Sequence, residues 1–147
     1  MGSCYRVTGS PNIHEYPESA DTALDFYAND LVQINTDGEV AVATAGVIYG
    51  IAKKNATGVQ GTLIPVDILT QSCEFSAKYK AAATDDSLVT DILDFTFTAG
   101  AHTLDETGAT TDVVCVDHGV DAWGVSGGRL ICRLLASAVG FDSDTGT

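Results

Sequence analysis

Cys73-Glu74-Phe75-Ser76-Ala77-Lys78-Tyr79-Lys80 alternates apolar and polar side chains at every step. Successive side chains of a strand point to opposite faces, so this stretch predicts a β-strand with one buried and one wet face. Leu93, Phe95 and Phe97 alternate with Asp94, Thr96 and Thr98 in the same way. Ile64, Val66 and Ile68 alternate with Pro65 and Asp67, and because Pro65 cannot donate to a ladder this strand is expected at an edge or a bulge. Residues 113–116 and 130–135 are more continuously apolar, the pattern of central strands covered on both sides. The core predicted from these runs is Phe75, Phe95, Phe97, Val114, Val116, Leu130 and Leu134.

Outward from these strands the chain is punctuated by turns. Asp37-Gly38 supplies the positive φ angles of a tight hairpin, and closing the turn there sets Ile34 opposite Ala41 and Val32 opposite Ala43, with Gln33 and Asn35 on the other face. Thr84-Asp85-Asp86-Ser87 can cap a short helical turn running through Ile92. No helical period persists beyond about ten residues. The fold class predicted is all-β: a small β-barrel or β-sandwich, residues 27–139, with at most one short helix. Residues 1–26 are broken by Gly9-Ser10-Pro11-Asn12 and Tyr16-Pro17-Glu18-Ser19 yet carry Tyr5, Ile13, Tyr16 and Phe26. They are expected to form an extended arm that docks on a partner through those four side chains. Residues 140–147 are small and acidic and are expected to form a flexible tail.

Composition narrows the function. The 147 residues suit one domain, 45% apolar and only 18% charged, against roughly 25% charged in an average soluble domain. Twenty acidic and seven basic side chains give a formal charge of -13, which argues against direct binding to nucleic acid, where phosphate contacts need clustered Lys and Arg. No stretch approaches the roughly 20 apolar residues of a membrane helix. The opening residues 1–6 lack the features of a signal peptide, so synthesis in a cytoplasm is expected. Cys4, Cys73, Cys115 and Cys132 contain no CxxC pair; free thiols are the simplest reading, and pairing of Cys115 with Cys132 stays open.

Candidate chemistry is sparse. Asp117, His118 and Asp121 with Trp123 form an acid and histidine cluster in a Gly-rich loop, to which His102 or His14 could be brought by folding. A small hydrolase would use the first three, a glycan-binding module would use Trp123 beside the carboxylates, and a plain hairpin loop would carry the same residues without either role. Nucleophile-elbow, zinc-helix, phosphate-loop and dinucleotide motifs are absent, so no enzyme activity, cofactor or metal is predicted. Asp142-Ser143-Asp144-Thr145-Gly146 lacks the later ligands of a calcium loop. Asn55-Ala56-Thr57 reads as a turn, and Lys53 and Lys54 as a solvated face.

The order of these elements resembles the head decoration, or capsid cement, proteins of tailed bacteriophages. Tyr27-Ala28-Asn29-Asp30-Leu31-Val32 leads into the Asp37-Gly38 hairpin, and Ile48-Tyr49-Gly50-Ile51-Ala52 precedes Gly58-Val59-Gln60-Gly61-Thr62-Leu63-Ile64-Pro65-Val66. Asp86-Ser87-Leu88-Val89, Val113-Val114-Cys115-Val116-Asp117 and Gly128-Arg129-Leu130-Ile131-Cys132-Arg133-Leu134 look like that family's closing segments. The resemblance covers roughly residues 26–136. It implies a non-enzymatic structural virion protein on the outer surface of an assembled icosahedral head. It further implies a homo-oligomer, with a trimer favoured, bound to the major capsid protein and bridging neighbouring capsid subunits. A carbohydrate- or receptor-binding module of a virion spike would share the fold, and Trp123 would be its loop contact.

Overall fold

The structure, a computed structural model, describes residues 4–19, 26–43, 47–80, 84–106 and 112–138. In chain order the strands are β1 (Cys4–Arg6), β2 (Ile13–Pro17), β3 (Leu31–Ile34), β4 (Val40–Val42), β5 (Gly50–Ala52), β6 (Leu63–Ile68), β7 (Glu74–Tyr79), β8 (Ile92–Thr96), β9 (Thr103–Asp105), β10 (Val113–His118) and β11 (Arg129–Leu134). One sheet runs β1-β7-β11-β10-β8-β9, and a parallel pairing of β7 with β9 closes its last five strands into a barrel. The other runs β2-β6-β5-β3-β4, and Glu18, just past β2, bridges to Val40 of β4 and draws its two edges together. Helix is confined, among the described residues, to two 3-10 turns, Asp86–Leu88 and Ala136–Ala138.

Alternation builds the core as read from residues 73–80 and 93–97. Phe75, Ala77, Tyr79, Leu93 and Phe95 are buried, with Phe97 packed against them. They meet Leu104, Leu130, Cys132 and Leu134, and Leu31, Ile48, Ile51 and Leu69 join the same cluster from the second sheet. A smaller cluster of Phe26, Val32, Val40, Ala52, Ile64 and Val66 fills the other face of that sheet. Burying such a side chain stabilises by roughly 1.5–3 kcal/mol.

Four expectations are corrected. The free arm does not form. Cys4–Arg6 pairs with β7, Ile13–Pro17 pairs with β6, and Phe26 is wholly buried, so these residues belong to the two sheets. Pro11 and Pro17 fall outside or at the end of the strands, which is why they break nothing. Second, β6 lies between β2 and β5 and is not an edge. Pro65 turns its carbonyl toward Lys53, just beyond the last β5 pairing of Ala52 with Val66, so its missing amide costs no ladder bond.

Third, the hairpin register is shifted by one: Ile34 faces Val40, Gln33 faces Ala41 and Val32 faces Val42. The amide of Asn35 donates to the Glu39 carbonyl, leaving three residues in the loop, and Gly38 takes φ +79 as its left-handed member. Asn35 Oδ1 accepts from the Asp37 and Glu39 amides and fixes that longer loop. Fourth, β10 buries Val113 and Cys115, whereas Val114 and Val116 face outward half-buried. A continuously apolar run does not reveal its phase, and the outer face of β10 is only partly covered.

The short helical turn is present at Asp86–Leu88, with Asp85 as its cap accepting from the Ser87 amide at 2.8 Å. It stops at Leu88, and Ile92 opens β8. Cys115 and Cys132 stand opposite each other as free, buried thiols. Burial pushes Cys115 up to about 11 and Cys132 well above the ordinary thiol value. The acidic end, 140–147, lies outside the described residues, as do residues 142–146 of the partial calcium pattern.

Phe95 stacks between Phe75 and Phe97, with centroids 6.3 and 5.5 Å away. Phe95→Ala should therefore cost about 3–5 kcal/mol in denaturant unfolding, with Val114→Ala costing under about 1.5 kcal/mol. Equal costs at the two positions would place Phe95 outside the core.

Candidate functional site

The first turn of chain that leaves β1 builds the most organised polar site. Arg6 is the last residue of β1, and Asp67 lies in β6 of the other sheet. Arg6 Nε donates to Asp67 Oδ2 at 2.9 Å and Nη2 donates to Oδ1 at 2.6 Å, a two-pronged contact with both side chains almost fully covered. Nη2 also donates to the Ile68 carbonyl, and Nη1 donates to Cys73 Sγ at 3.1 Å. The Asn12 amide donates to Asp67 Oδ1 at 2.9 Å. Burial alone would push the Asp67 carboxyl up, but Arg6 and the Asn12 amide hold it below the usual carboxylate range. The Cys73 thiol is likewise pulled below its ordinary value, against burial, by Thr70 and Arg6.

Above this clamp lies a groove of about 330 Å³ lined by Tyr5, Arg6, Val7, Pro11, Ile13 and Lys53, among others. Tyr5, Val7 and Ile13 remain 43%, 45% and 49% exposed. Tyr5 is partly covered by Arg129, whose guanidinium carbon lies 4.8 Å from the ring centroid. Of the four expected docking side chains, the structure thus brings Tyr5 and Ile13 to one groove. Tyr16 is half-buried and hydrogen-bonded to the Tyr49 hydroxyl at 2.8 Å, and Phe26, buried in the smaller cluster, is removed from any docking surface.

The acid and histidine loop after β10 is assembled for its own support. Asp121 Oδ2 accepts from the Arg129 amide at 3.0 Å, and His118 Nδ1 lies 2.9 Å from the Gly119 carbonyl. His118 Nε2 is 4.0 Å from Asp117 Oδ1, beyond hydrogen-bond reach. Trp123 meets the His118 ring edge-on at 5.3 Å and packs against the main core, so it braces the loop. His14 lies with Asn12, and His102 with Leu31 and Asp30; neither is among the residues that hold His118. No group of three potential metal ligands occurs among the described residues.

Two further buried polar contacts were not legible in the sequence. Glu18 accepts from the Thr57 amide and hydroxyl and from the Gly58 amide at 2.7–3.0 Å, pinning the loop that enters β6. His102 Nδ1 accepts from the Leu31 amide at 3.2 Å, which places the proton of the neutral ring on Nε2, 3.9 Å from Asp30 Oδ2. Asp30 in turn accepts from the Tyr27 and Gly100 amides. The Glu18–Thr57, Asp30–Gly100 and Leu31–His102 partners are 39–71 residues apart in sequence, so no local spacing announces them. Beside them Tyr27, Asn29, Asn55 and Gly100 line a second open groove of about 320 Å³.

No family model matches the chain, and no curated protein and no solved structure matches it. The functional reading rests on the residues and geometry above.

Burial pulls the His102 imidazole below its ordinary value, with Asp30 opposing. The unfolded chain then binds that proton at higher pH than the folded chain. Stability contributed by neutral His102 is complete above the unfolded value of about 6.5 and falls as pH drops below it toward the folded value. Thermal melts between about pH 8 and pH 5 should show this decline, and His102→Gln should flatten it. An unchanged pH slope in the variant would contradict a buried neutral His102.

Proposed function

We propose that this is a structural virion protein that binds the outer surface of an assembled icosahedral phage head and bridges neighbouring capsid subunits, acting as a homo-oligomer with a trimer favoured. The observation that carries the proposal is the groove at the edges of β1 and β2. Tyr5, Val7 and Ile13 stay exposed there beside the buried Arg6–Asp67 clamp. Exposed apolar side chains on a rigid support favour docking without an ordering cost, since the segment is already held by both sheets. Each such side chain gains roughly 1.5–3 kcal/mol when covered, and many copies on a repeating surface add avidity to a modest single contact.

Of the polar side chains that line the groove, Arg6 and Asp67 serve the clamp and Lys53 donates to Asn29 Oδ1 at 3.3 Å, which supports a binding role over a catalytic one. Because residues 4–6 and 13–17 are strands, single substitutions test the surface better than truncation. Val7→Asp and Ile13→Asp should leave the melting transition in place and weaken retention on purified, undecorated heads by at least about tenfold each. Wild-type protein should also raise the temperature at which those heads open. Retention unchanged by both substitutions would remove the groove from the mechanism, and wild-type protein that neither binds nor protects heads would end the cement reading.

A further inference from the structure

We propose that the groove between Gly100 and the turn from Tyr27 to Asp30 is a carbohydrate subsite that takes a neutral sugar ring against Tyr27. The reading stands apart from head binding, because this groove shares no described lining residue with the one that presents Tyr5, Val7 and Ile13. Its volume of about 320 Å³ falls at the lower end of the roughly 300–1,000 Å³ of small-ligand sites.

The walls are fixed before any ligand arrives. Asp30 Oδ2, fully buried, accepts from the Tyr27 amide at 2.9 Å and from the Gly100 amide at 2.7 Å, so one carboxylate oxygen ties both sides of the groove together. The Asp30 amide donates to the Tyr27 carbonyl at 3.0 Å and closes a tight turn in which Asn29 takes φ +72. That left-handed conformation is costly for most residues with a Cβ and is best tolerated by Asn and Asp. Asn29 is also pinned on both sides, its amide donating to the Ala52 carbonyl and its carbonyl accepting from the Cys4 amide. Gly100 backs the Tyr27 ring: it takes φ +74, and a Cβ there would stand 3.1 Å from Tyr27 Cδ2. The Tyr27 side chain is supported from behind yet 39% exposed, and a site built this way binds without an ordering cost.

The polar groups left over on these walls are donors. Asn55 Oδ1 accepts from the Ala28 amide at 2.8 Å, and Asn29 Oδ1 accepts from Lys53 Nζ at 3.3 Å, so each carboxamide is oriented through its oxygen. The Nδ2 group of each, and the Tyr27 hydroxyl, make no hydrogen bond to any described residue. An aromatic ring beside two free amide donors matches a pyranose, whose C–H face packs on the ring while its oxygens accept from the amides. An anionic ligand fits less well, because the chain carries -13 and Lys53 is already engaged with Asn29. A nucleotide would want clustered cations and several stacking faces, and Tyr27 is the one aromatic lining the groove among the described residues. Trp123, by contrast, packs against the main core.

The test is a titration of the full chain, followed by backbone and side-chain amide NMR shifts. The probes are glucose, galactose, mannose, N-acetylglucosamine, maltose, cellobiose and lactose, each taken to about 50 mM so that even a millimolar affinity is seen. Glucuronate and uridine serve as the charged and the nucleoside comparisons. At least one neutral sugar should shift the Tyr27 and Gly100 amides and the Asn29 and Asn55 side-chain NH2 signals in a saturable way. Tyr27→Ala should weaken that binding at least about tenfold. Asn29→Gly removes the carboxamide while keeping the positive φ, and Asn55→Asp keeps the acceptor for the Ala28 amide while removing the donor. Both should retain the wild-type melting transition and weaken binding about three- to tenfold, and they carry the test if Tyr27→Ala fails to fold. No saturable shift with any of the seven sugars, shifts centred on Trp123 or on Tyr5 and Ile13, binding of glucuronate or uridine alone, or folded variants with wild-type affinity would each overturn the subsite.

Discussion

The two-pronged contact between Arg6 and Asp67 is the constraint on which the arrangement of the two sheets depends. It joins the strand that extends the barrel to a central strand of the second sheet. The chain that links β1 to β2 must therefore cross from one sheet to the other within residues 7–12, and Gly9 makes the crossing at φ +81. A side chain there would be strained by that φ and would bring its Cβ within 3.4 Å of Arg6 Nη1. A buried ion pair adds little net stability over a well-packed apolar pair, but losing one partner leaves a charge stranded. Its value here is specificity: it fixes where the edges of β1 and β2 meet, and so fixes the groove that presents Tyr5, Val7 and Ile13.

The same logic recurs at the other buried carboxylates. Glu18, Asp30 and Asp112 are fully covered, and each accepts backbone amides: Thr57 and Gly58, Tyr27 and Gly100, and Phe95 respectively. Strands of three to six residues leave much of the chain in loops whose amides need partners. Inward-facing carboxylates satisfy those amides and tie distant loops to the sheets. Part of the strongly acidic composition is thus structural.

Strand existence was legible wherever alternation was clean, as at residues 73–80 and 93–97, because period two records both the strand and its buried face. It was ambiguous at residues 113–116, where an apolar run hides its phase, and Val113 and Cys115 took the core in place of Val114 and Val116. The hairpin turn was legible from Asp37-Gly38 but its register was not, since the Asn35 side chain selects a loop one residue longer. The N-terminal segment misled for a physical reason: strands of three and five residues between prolines and glycines have no periodicity to show, and only pairing with β7 and β6 stabilises them. Of the candidate site, Tyr5 and Ile13 were legible as apolar residues in a polar context. The clamp beneath them, spanning 61 residues, was not.

A double-mutant cycle on Arg6 and Asp67, followed by denaturant unfolding, tests the central claim most directly. Asp67→Asn should cost about 3–5 kcal/mol by stranding Arg6, and Arg6→Met in that background should cost far less than alone, with a coupling above about 1 kcal/mol. Costs that simply add, or an Asp67→Asn loss under about 0.5 kcal/mol, would show that the pair does not hold the two sheets together.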